Sequence, residues 1–293
     1  LWTFSPADSP ARFYLDLITA IESDPSALLT NILLNQGFDM PGRSYSQGST
    51  LYQRRIPAGA GVAESSGCGG FGNGIIVIYD PVTGAADEGG AFYRSASGAD
   101  LLIQHDRTDL HYNINSSSGL YNGPRGSGLS GIGGCILSGE LNNGIYHAMA
   151  FLTSGILYSQ AVGYVWPATR ADSIWQNQTY GYKGPNTAYA LGTLLAIPPS
   201  VNVATLGIQT PQAFNVALAA QTYGMYVCDS TASSGNTMSL AMEYGAASND
   251  LGCVVNPSNG WQSYDSTKIN STQFNADMIT ILHQCKAVTS NTH

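Results

Sequence analysis

Charge is what this sequence has least of. Asp, Glu, Lys and Arg together make up 10% of its 293 residues, against about a quarter in an ordinary soluble domain. Eleven basic residues against nineteen acidic ones leave a net charge of −8. No basic stripe is present to neutralise phosphates, which excludes nucleic acid as a partner, and an anionic membrane surface is excluded on the same ground. No apolar run is long enough to cross a bilayer. The five cysteines form no CxxC pair, and histidines are too few and scattered to join them in a metal site, so no metal or other cofactor is expected. The dinucleotide fingerprint, the P-loop, the GxSxG elbow and HExxH are all missing. There is no internal repeat.

Hydroxyls, amides and aromatics fill the space left by charge, with 34 glycines and 17 tyrosines. Such a surface is common among secreted proteins that handle carbohydrate. A chain opening at Leu1 rather than Met is expected to be a processed, extracellular one. Three glycosylation sequons, at Asn115, Asn177 and Asn270, point the same way. In an oxidising compartment two disulfides are expected, Cys228 with Cys253 and Cys68 with Cys135, leaving Cys285 on a helix face.

The chain is long enough for one large β-rich domain spanning 1–293. A helical segment is expected over 9–36: Ser9 caps it, Pro10 suits its first position, and Leu28, Leu29, Ile32 and Leu33 extend it to Gly37. Beyond Gly37, short apolar runs alternate with turn clusters, the texture of a many-stranded protein. Strands are expected at 74–79, 91–94, 99–106, 144–151, 162–166, 188–197, 223–228 and 238–244. A glycine- and serine-rich loop over 112–134 is long enough to line a cleft. Thr210-Pro211 opens a helix, and a last helix over 272–286 places Phe274, Met278, Ile281, Leu282 and Cys285 on one face. The fold class predicted is mainly β, a β-sandwich of jelly-roll or concanavalin-like type with peripheral helices.

Candidate chemistry comes from the scarce ionisable groups. Alternation sets His147 on one face with Ile145, Met149 and Phe151. It is either a core histidine with satisfied nitrogens or a proton-handling group in a cleft. Asp229 follows one expected strand and Glu243 lies in another, so the two can form the carboxylate pair that glycoside hydrolysis needs. A turn carboxylate and a solvated face are the plainer readings. In YVWPATRAD (164–172), Arg170 can pair with Asp172 or Glu140, or clamp a uronic acid. Trp166, Tyr146, Tyr226 and Tyr164 are candidates for sugar stacking.

The segments PRGSGLSGIGGCILSGELNNGIYHAMAF (124–151), YVWPATRADS (164–173) and YGMYVCDSTA (223–232) resemble a family of secreted microbial proteins of carbohydrate-directed type. The similarity runs from GIIVIYDPVTG (74–84) through Glu243. The resemblance implies attention to His147, Asp229 and Glu243 without supplying their roles. Cys135 and Cys228 stand where the family pattern has small or aliphatic residues. The leading expectation is a glycoside hydrolase acting on a polysaccharide or oligosaccharide. A polysaccharide lyase with a His147 or Tyr226 base and Arg170 as charge stabiliser is the second. A non-catalytic carbohydrate-binding or self-associating wall or fibre protein is the third.

Overall fold

The computed structural model describes the backbone of strands at 27–35, 47–57, 76–79, 85–94, 100–104 and 111–113. From residue 123 to 288 it describes most of the chain, apart from 124, 132, 174, 178–180, 232–237, 243–245, 256–261 and 265–268. The chain divides into two compact units, one of residues 9–124 with 255–262, the other of 1–8, 125–254 and 263–293.

In the first unit, β1 (Ala27–Asn35), β2 (Gln47–Pro57), β3 (Ile76–Tyr79), β4 (Ala85–Arg94), β5 (Asp100–Gln104) and β6 (His111–Asn113) form one mixed sheet. Its order is β2-β1-β5-β4-β3, with β6 also pairing β4. Strand β1 runs antiparallel to β2 and parallel to β5. Residues 27–35, expected to be helical, are thus extended. A leucine-rich run of nine residues fits either period, and pairing on both sides decides it in favour of the strand. The expected helix start at Ser9 and Pro10 lies outside the described residues.

The second unit opens with a single helical turn, α1 (Glu140–Asn143). Then follow β7 (Met149–Ser154), β8 (Leu194–Ala196), helix α2 (Pro211–Thr222), β9 (Met225–Thr231), β10 (Met238–Leu240), α3 (Ala246–Leu251), α4 (Ser271–Gln284) and β13 (Lys286–Ala287). Two further short strands, β11 (Cys253–Val255) and β12 (Gln262–Tyr264), form a separate ladder. The main sheet has the order β10-β7-β9-β8-β13. Strands β7 and β9 are parallel, and the other neighbours are antiparallel. Parallel neighbours require a crossover, and the chain between β7 and β9 supplies it, ending in α2.

Helix α2 explains how that crossover packs. Proline occupies its first turn after Thr210, where a missing N–H does no harm. Its buried face is Ala213, Val216, Ala217, Ala219 and Ala220, and such small side chains let a helix lie close to its neighbours. Asn215 Nδ2 donates to the Leu141 carbonyl at 2.8 Å, tying α1 to α2. Helix α4 buries Phe274 and Ile281, as its apolar spacing predicts. Buried Asp277 accepts from Thr210 N and Thr210 Oγ1, both at 2.7 Å, from Gln209 N at 3.1 Å, and from Gln273 Nε2 at 2.8 Å. These bonds fix α4 to the start of α2.

The expected β-sandwich is therefore corrected. The second unit is a mixed α/β assembly, an open sheet with helices that pack on one another. Residue patterns do not tell a parallel pair from an antiparallel one, and the β7/β9 pairing joins segments far apart in sequence. Residues 162–166, expected as a strand, form turns instead. Gly163 has φ +72 with the Trp175 ring against it, a conformation that suits glycine.

The expected disulfides are also absent. Cys135, Cys228 and Cys285 are in no disulfide, so neither Cys228–Cys253 nor Cys68–Cys135 is formed. Cys228 Sγ lies 3.4 Å from the Phe151 carbonyl inside the sheet, and Cys135 Sγ lies 3.7 Å from that of Gly131. Burial pushes the Cys228 thiol up to about 12. Cys68 and the side chain of Cys253 lie outside the described residues.

Candidate functional site

The register of the parallel pair creates the first candidate site. Phe151 faces Val227 and Leu152 faces Asp229, so Cys228 is an extra residue in β9, a bulge. A bulge re-aims the side chains that follow it, and here Val227, Cys228 and Asp229 are all buried in succession. The hydroxyl of Tyr158, itself fully buried, donates to the Asp229 carbonyl at 2.5 Å. It also lies 3.2 Å from the carbonyl and 3.1 Å from the amide of Thr153. One phenol thus ties the bulge of β9 to the end of β7. Asp229 sits towards the carboxyl ends of two parallel strands, where open α/β sheets place their ligands.

The loop 125–131 closes over this point. Ser127 N donates to the Cys228 carbonyl at 3.3 Å, and the Ser127 carbonyl accepts from Thr169 N at 2.9 Å. Buried Arg125 donates from Nε to Ser130 O at 2.9 Å and from Nη2 to Gly131 O at 2.5 Å. Between Arg125 and Ser127, Gly126 lies against two carboxylate groups that an added side chain would have to push aside. A methyl carbon there would lie 2.5 Å from Asp172 Oδ1 and 2.8 Å from Asp229 Oδ1. Two carboxylates therefore converge on one small space.

Their surroundings differ. Asp229 is 6% exposed and accepts Ser230 N–H at 2.9 Å. Burial, reinforced by the nearby charge of Asp172, pushes its carboxyl up to about 6, although Arg125 and the Ser230 and Gly126 amides pull the other way. Asp172 is half-buried. Its Oδ2 accepts the Tyr182 hydroxyl at 2.6 Å, and that oxygen in turn accepts Asp172 N–H at 3.3 Å. Tyr182 is held in place by Tyr158, 5.1 Å away edge-on, and by Trp175 at 6.4 Å.

His147 belongs to a different place. It precedes the first residue of β7, whereas Asp229 lies opposite Leu152 near that strand's far end. Its Nε2 is 3.0 Å from Glu140 Oε2 and its Nδ1 is 2.9 Å from the Ala148 carbonyl. Both ring nitrogens face oxygen atoms, an arrangement that favours the protonated ring, in which both donate. Burial by itself lowers the imidazole pKa, but the hydrogen bond and charge of Glu140 with the Ala148 carbonyl outweigh it, and the net shift is upward. Glu140 Oε2 also accepts Leu137 N at 2.6 Å. Asp250 accepts Gly139 N and Leu141 N at 2.9 and 3.2 Å, capping α1 from α3.

The remaining candidates fall as follows. Arg170 donates from Nη2 to the Arg125 carbonyl at 3.0 Å and so braces the loop that carries Gly126. Tyr146 and Trp166 are 59% and 69% exposed, and Tyr164 is 41% exposed. Tyr226 is half-buried in β9, its phenol pKa raised by burial. Asn177 and Asn270 are exposed, and Asn270 Oδ1 also caps α4 by accepting Gln273 N at 3.1 Å. Glu243 and Asn115 lie outside the described residues. Residue patterns singled out Asp229 but missed Asp172 as its neighbour, and missed Gly126, Arg125 and Tyr182. The signals present were the length of the glycine-rich loop and the Arg170/Asp172 segment. Among the described residues no group of His, Cys, Asp or Glu is placed to hold a metal ion, and no helix is long and apolar enough to cross a membrane. No family model, curated protein or solved structure matches the chain.

Proposed function

We propose that the chain is a hydrolase that uses Asp229 and Asp172 as an acid–base pair, with a glycosidic bond in a polysaccharide or oligosaccharide as its substrate. The observation that carries this reading is the convergence of the two carboxylates on Gly126. Two titratable groups with unlike environments are what acid–base hydrolysis requires. Asp229, buried and held near pH 6, donates the proton to the leaving oxygen. Asp172, more accessible, acts as the base or nucleophile. Asp172 takes the role that sequence patterns offered to Glu243. His147, engaged through both nitrogens, is a structural group in this reading. Composition and the sequons support an extracellular setting, to which disulfides add nothing.

The exposed aromatics favour a second reading, a carbohydrate-binding protein without turnover. Trp166 and Tyr146 present large rings to solvent, and such rings stack on sugars. A panel of neutral and acidic polysaccharides, incubated with the purified chain, separates these readings. Hydrolysis gives new reducing ends that disappear in both Asp229→Asn and Asp172→Asn. Near-ultraviolet absorbance from unsaturated products signals a lyase instead. Retention without products means binding alone, and turnover unchanged in both variants overturns the assignment.

A further inference from the structure

We infer that Tyr182 is a positioning residue that assigns the proton of the carboxylate pair to Asp229 by holding the negative charge on Asp172. This rests on the reading of Asp172 and Asp229 as an acid–base pair. Two carboxylates sharing one space cannot both ionise freely, and whichever receives the stronger donated hydrogen bond keeps the charge. The Tyr182 hydroxyl donates to Asp172 Oδ2 at 2.6 Å. It is fixed as a donor towards this oxygen because its own oxygen accepts the Asp172 amide at 3.3 Å. Tyr182 is itself 2% exposed, so no water competes freely for the bond, and ring contacts with Tyr158 and Trp175 fix its direction. Burial, and then the charge of Asp172, raise the Tyr182 phenol far above its ordinary range. It therefore stays a donor through the acidic and neutral range.

The groups facing the pair from every side are few. Arg125 and the amides of Gly126 and Ser230 favour charge on Asp229, while the buried thiol of Cys228 adjoins it. Arg170 donates to the Arg125 carbonyl. Phenol donors lie on both carboxylate residues, but the Tyr158 hydroxyl goes to the Asp229 main chain. Only Tyr182, among the side-chain bonds described at this site, gives a hydroxyl proton to one carboxylate oxygen of the two. That asymmetry acts together with the burial of Asp229 to separate acid from base.

Carbon-13 NMR of the aspartate carboxyls, followed through a pH titration of the intact chain, tests the inference without any substrate. In Tyr182→Phe the ring contacts remain and the donor is lost. The Asp229 midpoint is expected to fall by about one pH unit as Asp172 begins to share the proton. Placing 3-fluorotyrosine at position 182, a stronger donor of nearly the same size, is expected to move the Asp229 midpoint upward. This second measurement decides the matter if Tyr182→Phe does not fold. A midpoint that moves in neither protein, or that moves the same way in both, overturns the inference. Because the readout needs no turnover, it fails separately from the hydrolase reading, which the polysaccharide panel decides.

Discussion

Two ionisable clusters sit at opposite ends of β7, one buried and one half-buried, and they handle charge in opposite ways. At its start, His147 and Glu140 carry unlike charges, and every described bond adds to their attraction. At its far end, the carboxyl groups of Asp172 and Asp229 are of one kind and both reach the space left by Gly126. Unlike charges in the interior can hold a structure together, although their net contribution is modest. Like charges there work against stability and persist where a shifted proton affinity has a use. On the proposed function, the first pair is structural and the second chemical, where residue types alone made His147 look as promising as Asp229.

The largest expected effect breaks the chemical pair. Asp229→Asn is expected to lower turnover about a thousandfold, as loss of a general acid does, measured by reducing-end release. Breaking the structural pair should instead act on stability. Glu140→Gln leaves a buried imidazole without its anion and is expected to destabilise by about 3 kcal/mol in urea denaturation below pH 6.5. Since the folded pKa of His147 is raised above 6.5, the pair's contribution is fully present below that pH. It fades as the pH climbs through the raised value, and the variant should lack this decline. Buried Asp277 sharpens the contrast, because four donated bonds outweigh its desolvation and hold its carboxyl below the usual range. Asp277→Ala leaves donors unsatisfied and is expected to remove about 2 kcal/mol. The contribution of Asp277 is present above pH 3.8 and lost as pH falls through its lowered folded value. The smallest effect belongs to the exposed rim: Trp166→Ala should change stability by less than about 0.5 kcal/mol while weakening retention on polysaccharide.

Much of the second unit was legible from residue patterns. The helix after Thr210, the apolar face of α4 and the alternating burial of Ile145, His147 and Met149 follow local periodicity. What could not be read depends on partners distant in the chain. The parallel pairing of β7 with β9 turns an apparent sandwich into a mixed sheet. The bulge at Cys228 exists only once that register is set, and the bulge aims Asp229. Asp172 joins it because Gly126, from a third segment, leaves room. Glu140, seven residues from His147, was within local reach. It was read as a possible partner of Arg170 because its place on a helical turn was not apparent. The cysteines misled for another reason, since a buried thiol that packs as a small apolar group gives the same letter as one in a bridge.

On this reading Asp229 is buried beside a second carboxylate and holds its proton unusually well. Unfolding free energies of the wild-type chain and of Asp229→Asn, measured in urea from pH 3 to pH 8, test it most directly. A carboxyl raised from 3.8 to about 6 on folding contributes stability that is fully present below 3.8 and is lost as pH rises through 6. Asp229→Asn is therefore expected to gain on the wild type across that window. At pH 7 it should be more stable by up to about 3 kcal/mol. Two curves that run parallel from pH 3 to pH 8, or a variant that loses ground as the pH rises, would contradict it.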